Sequence, residues 1–176
     1  VAAPDARVRG LIRRIHEFAL REYELWATTR VDALMFMDDW GAQRQLLIPP
    51  ATWRELFKPL YKDYCDIARA HGKAAFMHSD GCIAEIMPDL AEIGVSAVNA
   101  QLFAMDLDAL ARTVKGRIAF WGEIDRQHVL TAADPAEGRR AVRTVADALY
   151  DPAGGVIAQL ELGAGANPAV ARAVYE

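Results

Sequence analysis

The residues able to do chemistry in this chain come in short clusters, each directly after a run of apolar residues. One is His78-Ser79-Asp80-Gly81. Histidine is a common metal ligand, and its reference pKa of about 6.5 suits proton transfer near neutral pH. Asp80 can share such a metal or hold a side chain that binds an anion. The same residues also suit a histidine satisfied by a local hydrogen bond near a turn. Asp38-Asp39-Trp40-Gly41 places two carboxylates side by side. Successive side chains of an extended chain point to opposite faces, so one of the two enters a site and the other caps or braces the loop. Paired carboxylates do acid–base work when their environments split their pKa values. Trp121-Gly122-Glu123-Ile124-Asp125 adds two further acids, which act at a site or pair with a neighbouring arginine such as Arg126. Asn99 and Gln101 are neutral orienting groups. Gln159-Leu-Glu161-Leu-Gly163-Ala-Gly165-Ala-Asn167-Pro168 reads as strand, glycine loop and helix start. Backbone N–H groups there suit a phosphate or carboxylate, or the loop simply turns the chain. Pro168 departs from the GxGxxG pattern.

Other patterns fail. His16-Glu17 opens like HExxH, but Leu20 stands where the second histidine belongs. There is no GxxxxGK[ST], no GxSxG and no cysteine-rich zinc pattern. Cys65 and Cys82 form neither a CxxC nor a disulfide framework.

Five strand-like runs must position the clusters: Ala33-Leu-Met-Phe-Met37, Lys73-Ala-Ala-Phe-Met77, Ser96-Ala-Val-Asn99, Arg117-Ile-Ala-Phe-Trp121 and Gly155-Val-Ile-Ala158. Helical patterns lie between them. From Asp5 to Thr28, Val8, Leu11, Ile12, Ile15, Phe18, Ala19, Leu25 and Trp26 recur at 3–4 spacing. Thr52 with Glu55 predicts a capping box for the next helix, and Pro59 predicts a kink within it. His71-Gly72, Gly94 and Gly116 mark helix stops. Asp134-Pro135-Ala-Glu137 opens a helix to about Tyr150, and Asn167-Pro168 caps a last one. Trp26, Trp53 and the Met and Phe positions of the strands read as core. The Arg and Lys of the long helices read as a solvated face. No repeat or linker interrupts residues 1–176, which read as one α/β domain.

Two architectures fit such alternation. A doubly wound sheet gathers ligands at its switch point, so only two or three strand ends need be loaded. A TIM-type (β/α)8 barrel builds its site from every loop after a strand, but needs about 250 residues for eight strands. Here all five strand ends are loaded. That predicts about five β/α units, the C-terminal part of a barrel.

With 176 residues, 53% hydrophobic and 25% charged, the composition is that of a globular domain. The net charge of −4 gives no electrostatic case for nucleic acid or an anionic membrane. No apolar run approaches the roughly 20 residues of a membrane span. The opening Val1-Ala-Ala-Pro-Asp-Ala-Arg7 has no apolar stretch of the signal-peptide kind. The expectations are a cytoplasmic chain, and a fragment or trimmed piece rather than a natural N-terminus.

The strand ends together resemble one family. Asp38-Asp-Trp-Gly, Leu47-Ile-Pro-Pro with Phe57-Lys-Pro-Leu-Tyr61, His78-Ser-Asp-Gly, Ile86-Met-Pro-Asp-Leu-Ala-Glu-Ile-Gly94 and Phe120-Trp-Gly-Glu-Ile-Asp125 are similar to the uroporphyrinogen decarboxylase superfamily. That superfamily holds decarboxylases of haem synthesis and corrinoid-dependent methyltransferases. The resemblance implies a barrel whose last five strands are present here. In the methyltransferase branch a His-x-Cys and a second Cys bind zinc. The matching positions here are His78, Asp80 and the Leu160/Glu161 region, so both thiolates are replaced. A His78, Asp80, Glu161 set would suit a harder divalent metal, zinc or other. The decarboxylase branch has a histidine in the glycine loop after its last strand, and this chain has none.

Three readings follow from the resemblance. In the first, the chain belongs to an enzyme of the methyl-transferring or demethylating branch, acting on a small methylated compound with a corrinoid protein as donor or acceptor. Asp39, His78 and Glu123 are then catalytic, and Asp38, Asp80, Gln101, Asp125, Gly163 and Gly165 meet substrate. In the second, it decarboxylates a tetrapyrrole carboxylic acid without a cofactor. In the third it is an inactive partial barrel. A homo-oligomer, or pairing with a missing N-terminal half, is expected because open sheet edges seek partners.

Overall fold

The computed structural model describes residues 5–176; the first four residues of the opening segment lie outside the described residues. In chain order the elements are α1 (Ala6–Ala27), β1 (Ala33–Met37), α2 (Pro50–Leu56), α3 (Lys58–Ala70), β2 (Ala74–Ser79), α4 (Met87–Ile93), β3 (Ala97–Ala100), α5 (Leu107–Val114), β4 (Ala119–Glu123), α6 (Ala136–Leu149), β5 (Val156–Gln159) and α7 (Pro168–Tyr175). All five strands are parallel, in the order β1-β2-β3-β4-β5. A doubly wound sheet reverses its order at a switch point. This sheet never does, so the fold is about five consecutive β/α units of a TIM-type barrel.

The strand registers sort residues into two faces. Leu34, Phe36, Ala75, Met77, Val98 and Phe120 are buried against the helices. Phe36 stacks on Tyr61 of α3 at 5.2 Å between ring centres, and Trp53 of α2 is fully buried. Each such side chain, fully removed from water, contributes roughly 1.5–3 kcal/mol. The opposite face carries the other parity. Met37, His78, Asn99, Trp121 and Ile157 are neighbours along one row, and Glu123 pairs with Gln159 in the next. Below them Met35 pairs with Phe76. That face has an apolar floor and a polar rim at the strand C-termini.

Several local expectations need correction. The Thr52/Glu55 capping box does not form, because α2 starts three residues earlier, with Pro49 at its cap and Pro50 as its first residue, and places Thr52 inside the first turn. Glu55 pairs with Arg9 of α1 instead, at 2.8 Å. The irregularity expected at Pro59 falls at Phe57, which separates α2 from α3 while keeping right-handed helical dihedrals, with Pro59 in the first turn of α3. Trp26, Met35 and Met37 are not core: they are 60%, 41% and 65% exposed. Helix α1 has two apolar faces. His16, Ala19, Leu20, Tyr23 and Ala27 turn inward, whereas Val8, Leu11, Ile15, Phe18 and Leu25 are exposed. Not every cation on the long helices is solvated either. Arg54 and Lys58 reach the buried Asp89 of α4 at 2.9 and 2.8 Å, tying α2 and α3 to α4.

Candidate functional site

The loops after β1 and β2 are clasped together. Gly41 donates to the Asp80 carbonyl at 3.1 Å, and Cys82 donates to the Ala42 carbonyl at 2.8 Å. A Cβ on Gly41 would collide with the Gly81 backbone, and Gly81 itself has φ +76°. Only glycine allows this approach cheaply. The clasp sets Asp39 and Asp80 side by side, and the Asp80 amide donates to Asp39 Oδ1 at 2.9 Å.

The two carboxylates of Asp38-Asp39 divide as chain parity requires. Asp38 turns to the helix layer and accepts from the Tyr61 hydroxyl at 2.5 Å, so it braces the loop rather than meeting the open face. Burial and this carboxylate push the Tyr61 hydroxyl pKa well above its ordinary value. Asp39 faces the rim.

His78 stands at the centre of the rim. Its Nδ1 lies 2.6 Å from Asn99 Oδ1. The Asn99 amide nitrogen donates to the Trp121 carbonyl at 3.0 Å and to Gln159 Oε1 at 2.5 Å, which fixes Oδ1 as the acceptor. The His78 Nδ1 therefore carries a proton, so Nε2 is the nitrogen that offers a lone pair when the ring is a neutral ligand. Nε2 faces Asp39 Oδ1 at 3.5 Å and Asp80 Oδ1 at 3.9 Å. Asp80 Oδ1 is buried without a hydrogen-bond partner. Asp39, His78 and Asp80 are the three groups, among the described residues, whose ligand atoms lie within 4.8 Å of one another. Asp39 Oδ1 accepts only the Asp80 amide and Asp80 Oδ1 accepts nothing, so the three groups suit a shared cation or proton. The set is one nitrogen and two oxygens, with an oriented second contact to the histidine, as divalent metal sites use. The residues fit a divalent metal.

Glu161, expected in that set, lies elsewhere. It pairs with Arg126, which also contacts Asp80 Oδ2 at 2.5 Å and Glu123 Oε1 at 3.5 Å. Arg126 is the rim residue that sequence reasoning undervalued, weighing it only as a local partner for Glu123 or Asp125. Its contacts with Glu161 and Asp80 span 35 and 46 residues of sequence, and nothing local signals them. Glu123 is 4% exposed. Burial pushes its carboxyl up to about 7; the Arg126 guanidinium pulls against the rise, while Asp80 and Glu161 add to it. A buried carboxyl titrating near neutrality is suited to give or take a proton.

The remaining candidates have supporting places. Gln101 accepts from the Gly81 amide at 2.9 Å and so steadies the clasp. Asp125 accepts from the Gln127 and His128 amides at 2.7 and 3.0 Å and from the His128 ring, bracing its own loop. Burial opposes its ionisation, but these donors outweigh it and hold its carboxyl below the usual range. Gln101, Glu123, Asp125 and Arg126 line a cavity of about 60 Å³, together with Gln43 and Gln127, which share a 3.0 Å hydrogen bond. Gly163 and Gly165 stand apart from the cluster. Gly163 has nothing near its Cβ position, and Asn167 spends its side chain capping α7 and holding the Ala132 carbonyl.

No described helix is long and apolar enough to cross a membrane. Among solved structures, a methyltransferase from Methanosarcina mazei superposes with a TM-score of 0.69 at 12% identity, covering 90% of this chain and 46% of its own. An intracellular xylanase from Thermoanaerobacterium saccharolyticum gives a TM-score of 0.44 at 13% identity, over 87% of this chain and 56% of its own. The chain thus spans about half the length of the solved structures it matches. No protein of curated function matches it by sequence. The family model for uroporphyrinogen decarboxylase (URO-D) matches residues 3–173. With strand ends, barrel topology and family match agreeing over nearly all of its length, the chain belongs to the uroporphyrinogen decarboxylase family.

Proposed function

We propose that this chain carries the catalytic rim of a methyl-transferring or demethylating enzyme acting on a small methylated compound, with a corrinoid protein as donor or acceptor. The observation that carries the reading is the His78 Nε2 lone pair, turned by Asn99 toward Asp39 Oδ1 and the unpartnered Asp80 Oδ1. Asp39, His78 and Asp80 would hold a divalent cation, which supplies Lewis acidity toward the methyl-bearing or acceptor atom. Asn99 keeps the ring in its ligating tautomer. The Gly41–Gly81 clasp holds the two carboxylates in place. Glu123, buried and titrating near neutrality, is placed to give a proton to a leaving group or take one from an acceptor. The methyltransferase neighbour supports the direction of this reading through its fold.

The charge of the rim bears on the alternative. Asp80, Glu123 and Glu161 share one guanidinium, Arg126, and Asp39 adds a fourth carboxylate beside His78. A tetrapyrrole carrying many carboxylates would meet repulsion there. What favours the decarboxylase reading is Glu123 alone, since decarboxylation needs a buried acid to protonate the carbanion it leaves.

The deciding experiment is elemental analysis of the purified protein beside His78→Ala. One equivalent of a divalent metal, lost in the variant, is the expected result. Metal-free protein that releases carbon dioxide from uroporphyrinogen would replace the methyl-transfer reading with the decarboxylase one.

A further inference from the structure

We propose that Arg126 sets the cation capacity of the rim: its guanidinium is the built-in counter-ion of Asp80, Glu123 and Glu161, and it limits the rim to one divalent cation at Asp39, His78 and Asp80. The proposal rests on the reading of that triad as a cation site. Three acids arriving from three different strand ends converge on this one side chain. Nη2 takes Asp80 Oδ2 from the end of β2. Nη1 takes Glu123 Oε1 from the end of β4, and Glu161 Oε2 from the loop after β5. Arginine suits the task because its charge is permanent and its planar fork serves several carboxylates at once.

The two oxygens of Asp80 show how the division works. Oδ2 belongs to Arg126, and Oδ1 points at His78 with no other partner. One carboxylate therefore stands between a permanent cation on one side and the His78 lone pair on the other. Removal of the guanidinium would leave Asp80, Glu123 and Glu161 without a counter-charge in a half-buried space. Carboxylates gathered in that way recruit a metal ion, because like charges at short range in a low-dielectric setting are costly. The positive charge also weakens attraction of any divalent ion to the neighbouring triad. Both effects have the same sign: loss of Arg126 strengthens cation binding, although a side chain and its ion pairs have been lost. A merely structural role for Arg126 predicts the reverse, since a disordered rim binds metal more weakly.

The test is titration of the metal-free protein with Mn²⁺ alone, followed calorimetrically and by the electron paramagnetic resonance of free Mn²⁺, for wild type, Arg126→Gln, Arg126→Lys and Glu161→Gln. Circular dichroism and thermal unfolding of each variant establish that it folds. The expected result is one ion for wild type, and for Arg126→Gln either a second ion or affinity tighter by about tenfold or more. Arg126→Lys keeps the charge and should retain wild-type stoichiometry. Glu161→Gln, which leaves the triad untouched, should bind no more tightly than wild type. Equal or weaker binding by folded Arg126→Gln overturns the proposal and leaves the triad reading standing. Binding by Arg126→Gln but not by wild type overturns the one-ion capacity together with the reading of the triad as a native metal site. No binding by any form overturns both. Should Arg126→Gln fail to fold, Arg126→Met in a Glu123→Gln background, which removes one acid with the cation, carries the same comparison.

Discussion

Asn99 decides which nitrogen of His78 faces the rim. With its amide nitrogen committed to the Trp121 carbonyl and Gln159, only its carbonyl oxygen is left for the ring, at 2.6 Å from Nδ1. The tautomer of His78 is thus dictated from β3, by a residue whose own hydrogen bonds go to His78, Trp121 and Gln159 rather than to Asp39 or Asp80.

Asn99→Ala should therefore lower divalent-metal affinity by roughly 10–100-fold, the usual effect of losing an outer partner to a metal-binding histidine. Calorimetric titration with Mn²⁺ measures it, with circular dichroism to show the barrel units intact. Unchanged affinity would mean that the ring needs no orienting group.

Gly41→Ala puts a methyl group into the Gly81 backbone, which has no flexible end to swing away. The loops must part, at a cost of about 1–3 kcal/mol as in other overpacked sites. Urea denaturation should show this loss, and metal affinity should fall with it because Asp39 and Asp80 separate.

Glu123 makes stability depend on pH with a definite sign. Its carboxyl rises from an ordinary 4.5 to about 7 in the folded chain, mainly through burial. The folded state therefore holds the proton more tightly than the unfolded one. Its contribution is fully present below about pH 4.5 and is lost as pH rises through about 7. Glu123→Gln removes that dependence. Relative to wild type it should gain on the order of 2 kcal/mol between pH 5 and pH 8, read from unfolding midpoints. A difference that does not change with pH would place the Glu123 carboxyl at its ordinary value.

Asp89→Ala should destabilise by about 1–3 kcal/mol, because the buried carboxylate is the common acceptor for Arg54 and Lys58. Lys58 retains Glu92 and Arg54 retains the Glu85 carbonyl, which keeps the loss from being larger. Metal titration of this variant should match wild type, separating helix-layer stability from the rim.

The strands are legible in the sequence because short apolar runs ending in polar clusters identify both an element and its functional end. Chain parity alone separates Asp38 from Asp39, and the fold puts one on Tyr61 and the other beside His78. The strand order is not written in the pattern, and that order distinguishes the barrel from the doubly wound sheet. Helix α1 misleads for a physical reason: a 3–4 repeat identifies an apolar face, and this helix has two, of which the inward one includes a histidine and a tyrosine. The place of Glu161 is misread when ligation is carried over by position alone. The guanidinium that claims it comes from a different loop, and long-range charge pairing leaves no local trace.

The alternation along β1 gives the length of that strand a significance beyond its five residues. Leu34, Phe36 and Asp38 serve the helix layer, while Met35, Met37 and Asp39 serve the opposite face. Deleting any one residue between Ala33 and Asp38 would exchange these two sets upstream of the deletion or across the clasp. Phenylalanine and leucine would then face the rim, and methionines would press on Tyr61 and Tyr64. The first strand thus works as a reading frame: substitutions can accumulate in it gradually, whereas changes of length are tolerated only in steps of two.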